Sequence, residues 1–226
     1  MASLKKGGLI VSCQAVEGEV LHGYNIMHLM AKCAVEGGAS GIRANSVSDV
    51  NSIKSTVDVP TIAIIKKDFP NFDVRITPTR EELEALLLQT KADVIALDAT
   101  LRPRPNGENL ADLVAFARKI KPETELMADI ATMDEALNAD KLGFDYIGCT
   151  LRGYTAETKG ISIPDYDFVR DLVKNVKAKV IAEGGIWEVG QLKKVLECGV
   201  YSVVIGTAIT RPFDITKRFV KVMEEK

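Results

Sequence analysis

Lys66 and Glu183 are the two residues whose types and settings best suit proton transfer. Lys66 directly follows the apolar run Thr61-Ile62-Ala63-Ile64-Ile65. There, apolar walls and a nearby cation such as Arg43 would lower its pKa towards neutrality. A lysine so perturbed serves as a base or as a Schiff-base amine; a solvated lysine, as Lys67 beside it is read, does neither. Glu183 likewise closes the run Val180-Ile181-Ala182. Its plainer reading is an ion pair with Arg43; its sharper one is an acid facing Lys66 across a bound ligand.

Other residues end apolar runs in the same way: Gln14, Arg43, Asp98, Asp129, Thr150 and Gly206. Gln14 and Arg43 offer donors to a ligand oxygen or an amide carbonyl, or else close a core with hydrogen bonds. Asp98 and Asp129 suit substrate hydroxyls, the positioning of Lys66 or a divalent metal, and the metal is the least supported because no third ligand pattern accompanies them. Thr150 is grouped with Gln14, Arg43 and Asp129 as substrate-binding. An anion signal comes from the last two runs, where Glu183-Gly184-Gly185 and Gly206-Thr207 set glycines before helices. Gly185, Gly206 and Thr207 would bring backbone N–H groups to a phosphate, and Arg211 would add a fixed cation. Glycines that merely turn tight corners are the alternative.

These residues converge only if particular elements carry them. Short Val- and Ile-rich runs alternate with helical segments eight times along the chain. Continuous apolar strands of this kind belong to a parallel sheet buried on both faces. Eight units favour an α/β fold of the (β/α)8 barrel type, a single domain over 1–226, above a flavodoxin-like open sheet. Closure would turn residues scattered through the sequence into one ring at the C-terminal mouth, with Lys66 and Glu183 four strands apart. The first helix is expected over about 22–36, stopped by Gly37-Gly38, with His22 and His28 structural. Another is expected over 79–89 behind an N-cap at Thr79, and the last near Pro212. Glu36-Gly37-Gly38-Ala39, Leu142-Gly143-Phe144-Asp145 and Cys198-Gly199-Val200-Tyr201 read as equivalent helix-to-strand turns. Segments 67–78 and 101–109 break the regularity and would lie over the mouth.

Composition removes several function classes. With 226 residues, 46% of them hydrophobic, the chain buries a full core without disulfides or metal. A formal net charge of −2 argues against the basic surface that nucleic acid requires. Cys13, Cys33, Cys149 and Cys198 form no C-x-x-C pair, so neither a zinc site nor a disulfide framework is expected. No run reaches the length of a membrane span, and no long apolar stretch precedes the first strand. A soluble protein of the reducing cytoplasm is the expectation.

Several stretches, taken together, resemble the bacterial N-acylmannosamine-6-phosphate 2-epimerases. They are Gly8-Leu9-Ile10-Val11-Ser12-Cys13-Gln14-Ala15, Gly41-Ile42-Arg43-Ala44-Asn45, Ile64-Ile65-Lys66 and Ala96-Leu97-Asp98-Ala99-Thr100. Arg104-Pro105-Asn106-Gly107-Glu108, Met127-Ala128-Asp129-Ile130, Gly153-Tyr154-Thr155 and Ile209-Thr210-Arg211-Pro212 extend the likeness over nearly the whole chain. The resemblance implies a barrel without a redox cofactor that interconverts N-acetylmannosamine 6-phosphate and N-acetylglucosamine 6-phosphate in sialic acid breakdown, and it makes a homodimer plausible. It implies Lys66 as base and Glu183 as acidic counterpart. Gln14, Arg43 and Asp129 would lie at the sugar, with Gly185, Gly206, Thr207 and Arg211 at the phosphate. Trp187-Glu188 departs from the Thr-Pro-Glu type of helix start expected there, which bears on the entry to the seventh helix. Two other readings compete: a class I aldolase using Lys66 as Schiff-base amine, and a noncatalytic sugar-phosphate sensor needing neither Lys66 nor Glu183.

Overall fold

The computed structural model describes residues 3–225; the expected domain limits also take in Met1, Ala2 and Lys226, which lie outside the described residues. Eight parallel strands pair in sequence order and close, the first against the last: β1 (Leu9–Cys13), β2 (Gly41–Asn45), β3 (Thr61–Ile64), β4 (Val94–Asp98), β5 (Glu125–Asp129), β6 (Tyr146–Gly148), β7 (Lys179–Glu183) and β8 (Ser202–Ile205). The open flavodoxin-like sheet is thereby excluded. Helices separate the strands: α1 (Met27–Glu36), α2 (Val47–Thr56), α3 (Arg80–Gln89), α4 (Leu110–Ile120), α5 (Met133–Leu142), α6 (Tyr166–Asn175) and α7 (Val189–Glu197). After β8 come the one-turn α8 (Thr207–Thr210) and α9 (Pro212–Glu224).

Strand alternation explains how the ring residues converge. Side chains of a strand face opposite sides at successive positions. One apolar cluster, including Ile10, Ile62, Ile64, Val94, Ala96, Met127, Tyr146, Ile181 and Val204, fills the barrel interior. Val11, Ala63, Ile95, Leu97, Ala128, Ala182 and Val203, which alternate with these, belong to the layer between strands and helices. Two-residue steps from the inner set reach Ser12, Lys66, Asp98, Asp129, Gly148, Glu183 and Gly206, and one more step from Ser12 and Gly148 reaches Gln14 and Thr150. The polar ring is therefore the next inward layer above the apolar one.

Local chemistry sets the helix ends. Thr79 and Glu82 form a capping box at the start of α3, and Leu83, Leu86 and Leu87 are buried as their spacing predicts. Gly38, Gly143 and Gly199 have φ of +99°, +82° and +86°, so the three recurring turns share one left-handed residue before the next strand. Glu188 caps α7 in a capping box with Gln191, which replaces the expected Thr-Pro-Glu entry.

Two expectations need correction. α1 starts at Met27 rather than near residue 22, because Gly23 and Asn25 adopt φ of +79° and +51° and hold the preceding segment in turns. Arg43 does not end its strand: β2 continues through Ala44 to Asn45. The last helix starts at Pro212 as expected, yet no residue of α9 is buried, and Phe213, Phe219, Val222 and Met223 are exposed. Among the described residues no helix is long and apolar enough to cross a membrane.

The foot of the barrel, where strands begin, is plugged. The Tyr201 hydroxyl donates to Leu4 O (2.8 Å), and the Tyr146 hydroxyl donates to Glu125 Oε2 (2.9 Å).

Candidate active site

A cavity of about 590 Å³ opens at the mouth. Lys66, Glu183, Gln14, Thr150, Gly185, Gly206, Thr207 and Arg211 all line it, as does Asp98. Arg43 and Asp129 do not. They lie beneath its floor, 1% and 0% exposed. His22 and His28 stand outside the lining as well, and His22 lines a smaller cavity with Asn45 and Asp49.

Lys66 follows β3 and is fixed from two sides. Its backbone N–H donates to Asn45 Oδ1 (2.8 Å), and it forms an antiparallel bridge with Ile76 of the returning 67–78 segment. Burial, then the charges of Arg43 and Arg211, draw its pKa down from 10.5 to about 8, although Glu183 and Glu19 pull the other way. Near physiological pH the neutral amine is therefore a minority form, yet far better populated than in a solvated lysine.

Under the floor, Arg43 makes a two-pronged contact with Asp129: Nη1 donates to Oδ1 (3.2 Å) and Nη2 to Oδ2 (2.6 Å). Its Nη1 also lies 3.2 Å from Glu183 Oε2. Burial works against the guanidinium charge, but the attraction of Asp129 and Glu183 outweighs it and holds Arg43 charged. Burial raises the Glu183 pKa, and Asp129 pushes the same way, against Arg43 and Lys66. The plain reading of Glu183, an ion pair with Arg43, is present, and the same side chain lines the cavity that Lys66 also lines.

Asp98 has a different occupation. Its Oδ1 accepts from Thr100 N and Oγ1 (3.0 and 2.6 Å), and its Oδ2 from Arg102 Nη2 (2.8 Å). Buried Arg104 donates to Asp98 O and to Pro78 O, tying the 101–109 segment to the mouth rim. Among the described residues no group of three or more His, Cys, Asp or Glu side chains could hold a metal ion.

Where β7 and β8 end, Gly185 has φ +70°, and a Cβ there would come within 2.7 Å of Ile163 backbone atoms, so only glycine fits. Arg211 lies at the end of α8, with Nη1 2.7 Å from Glu19 Oε1. Sequence reasoning missed Glu19, Asn45, Tyr154 and Trp187 as site neighbours. Arg75 and Arg102, also in the lining, fall within the two segments expected over the mouth.

A closed (β/α)8 barrel with a low-pKa lysine, a raised-pKa carboxyl and glycine-bearing ends on its last two strands is built as a barrel enzyme. The chain belongs to the N-acetylmannosamine-6-phosphate epimerase family. Residues 27–225 match the NanE family profile, described as "Putative N-acetylmannosamine-6-phosphate epimerase". It is 52% identical over 220 residues to a Staphylococcus aureus (strain JH9) protein named "Putative N-acetylmannosamine-6-phosphate 2-epimerase", covering 96% of this chain and 98% of that one. Among solved structures, the N-acetylmannosamine-6-phosphate 2-epimerase of Clostridium perfringens is 47% identical and superposes with a TM-score of 0.92 over 97% of this chain and 94% of that one. Thiamine phosphate pyrophosphorylase from Pyrococcus furiosus, 22% identical with a TM-score of 0.62 over 98% of this chain and 96% of that one, shares the fold alone.

Proposed function

We propose that the chain interconverts N-acetylmannosamine 6-phosphate and N-acetylglucosamine 6-phosphate by removing and returning the proton at C2, in amino-sugar and sialic acid breakdown. The observation that carries this reading is the cavity-lining Lys66, drawn down to about 8 beside a second titratable group, Glu183. In the open form of the sugar the C1 aldehyde acidifies the C2 proton and takes up charge as an enolate. Lys66 acts as base, and Glu183 as acid on the opposite side of the ring. Gly185, Gly206, Thr207 and Arg211 hold the phosphate, so remote binding energy orients C2. Gln14 and Thr150 face the sugar, and Arg43 and Asp129 act from below by fixing Glu183 rather than by touching substrate. This chemistry requires no redox cofactor and no metal.

The cavity volume suits a phosphorylated amino sugar. A Schiff-base aldolase and a noncatalytic sensor both fit less well with the family to which the chain belongs. The exposed apolar side chains of α9 support a homodimer, since a stripe of this kind on a soluble chain marks a contact surface. Four unbridged cysteines support a reducing compartment, the cytoplasm.

Incubation with each epimer, followed by NMR of both, tests substrate, reaction and cofactor independence together. Appearance of the second epimer without added cofactor is expected; a phosphorylated product of carbon–carbon cleavage would sink the epimerase reading in favour of the aldolase.

A further inference from the structure

One end of the mouth cavity already holds a carboxylate where an anion is expected to bind. Glu19 lines the cavity together with Gly206, Thr207 and Arg211. Its Oε1 lies 2.7 Å from Arg211 Nη1, and its Oε2 accepts a hydrogen bond from Val16 N (3.0 Å). Asp214 Oδ2 stands 3.8 Å from the same Nη1. One guanidinium thus faces two carboxylates, and negative charge is in excess within the trio. A phosphomonoester brings a further charge of about −1.5 to −2 at neutral pH. Added to the trio it meets repulsion; exchanged for one of the carboxylates, it gives Arg211 a partner of higher charge.

The two carboxylates are not equally able to leave. Asp214 belongs to the first turn of α9, where the helix N-terminus favours its charge, and it lies outside the cavity lining. Glu19 belongs to the segment between β1 and α1, which passes through Gly18, Gly23 and Asn25 at positive φ and leaves Val20 and Tyr24 exposed. Its contact with Arg211 ties that segment to the corner between α8 and α9.

We propose that Glu19 is a stand-in for the substrate's phosphate: in the free protein it holds Arg211 in place, and an arriving phosphate takes Arg211 from it and releases the 16–24 segment from the α8–α9 corner. This rests on the phosphate role proposed above for Arg211 and deepens it. Glu19 also acts on the base. The charged groups that act on Lys66 are Arg43 of β2, Arg211 after α8, Glu183 of β7 and Glu19 after β1, and Glu19 favours the lysine's charge. Removing the Glu19 charge therefore draws the Lys66 pKa further below about 8 in the free protein.

The test is Glu19→Gln, which keeps an acceptor for the Val16 N–H and removes the charge. By calorimetry with inorganic phosphate as the probe, the variant should bind about three- to ten-fold more tightly than the parent. The acid limb of kcat/KM, which reports the free enzyme, should move to lower pH. Equal or weaker phosphate binding, or an unmoved limb, would overturn the proposal and leave Glu19 a fixed brace for Arg211. A second measurement uses the parent protein alone. Saturating inorganic phosphate should speed amide hydrogen exchange over residues 16–24, because the tie to Arg211 is lost; unchanged or slower exchange overturns the proposal. Arg211→Ala separates this inference from the phosphate cradle beneath it. If that variant binds inorganic phosphate as well as the parent does, the role of Arg211 and this inference fall together. If it loses phosphate while Glu19→Gln binds no more tightly than the parent, this inference alone falls.

Discussion

At the foot of the barrel, Lys179 lies 4.9 and 5.1 Å from the ring centroids of Tyr146 and Tyr201, and 3.6 Å from Glu125. At the mouth, Lys66 shares a cavity wall with Glu183 and Tyr154, and Arg43 lies below it. The residue types are nearly the same: a lysine, a glutamate, tyrosines. What differs is solvent and the sign of the neighbours. Lys179 is 40% exposed, and it lies over two aromatic faces beside a carboxylate. Lys66 is half-buried, and the charges of Arg43 and Arg211 disfavour its own. Composition therefore says little about which end reacts; burial and the order of charges decide it.

The widest separation between the two ends should appear on removing each lysine in turn. Lys66→Met should lower epimerisation by about 100- to 10,000-fold, the span for loss of a general base, whereas Lys179→Met should leave turnover within about two-fold. The pH behaviour sharpens this contrast. In the proposed role of base Lys66 would work neutral, so activity should rise with pH on the approach to about 8. Its folded pKa lies below the unfolded value of 10.5, so between about 8 and 10.5 the unfolded chain holds more protons and stability from this group grows with rising pH. Thermal melts of Lys66→Met across that window should lack the rise seen in the parent protein.

Glu183→Gln comes next. Epimerisation should fall by about 100-fold or more, while exchange of the C2 proton in D2O persists for the epimer that faces Lys66. Loss of both activities in parallel would instead assign Glu183 to enolate stabilisation or ring opening. Arg211→Ala should weaken binding of the sugar phosphate by roughly 1.5–3 kcal/mol, measured by calorimetry, with little change for the unphosphorylated sugar. Equal turnover of free N-acetylmannosamine and its 6-phosphate by the parent enzyme would remove the phosphate cradle from the account. The smallest effect belongs to the foot. Tyr201→Phe deletes the hydrogen bond to Leu4 O and should lower stability by about 1 kcal/mol in denaturant melts, with kcat unchanged.

The barrel and most of the mouth were legible in the sequence because both follow from periodicity. A two-residue strand repeat carries Lys66, Asp98, Asp129, Glu183 and Gly206 into one layer, and each could be counted from its own apolar run. Arg43 was misread as a strand end because Ala44-Asn45 offers too little apolar signal to extend β2. The start of α1 was misread because positive φ at Asn25 leaves only a weak mark on composition. Least legible was the set of side-chain pairings at and under the floor. That Asp129 meets Arg43 across the barrel, or that Asp98 meets Thr100 and Arg102 rather than the base, depends on register and rotamer, which no spacing along one chain records. The outward position of α9 was hidden too, since its amphipathic pattern says that one side wants cover without saying which surface provides it.

The buried Arg43–Asp129 pair has a further consequence for how this barrel would respond to laboratory evolution. Ion pairs taken wholly out of water are weak contributors to folding, and well-packed apolar replacements of similar volume are often neutral or stabilising. Truncating one partner alone should be severely damaging, because it strands the other charge. Joint apolar replacement of Arg43, Asp129, Thr150 and Glu183 should yield a barrel at least as heat-resistant and without turnover. A library screened for heat resistance alone would tend to erase this layer first, so thermostabilising selections on this protein need an activity screen beside them.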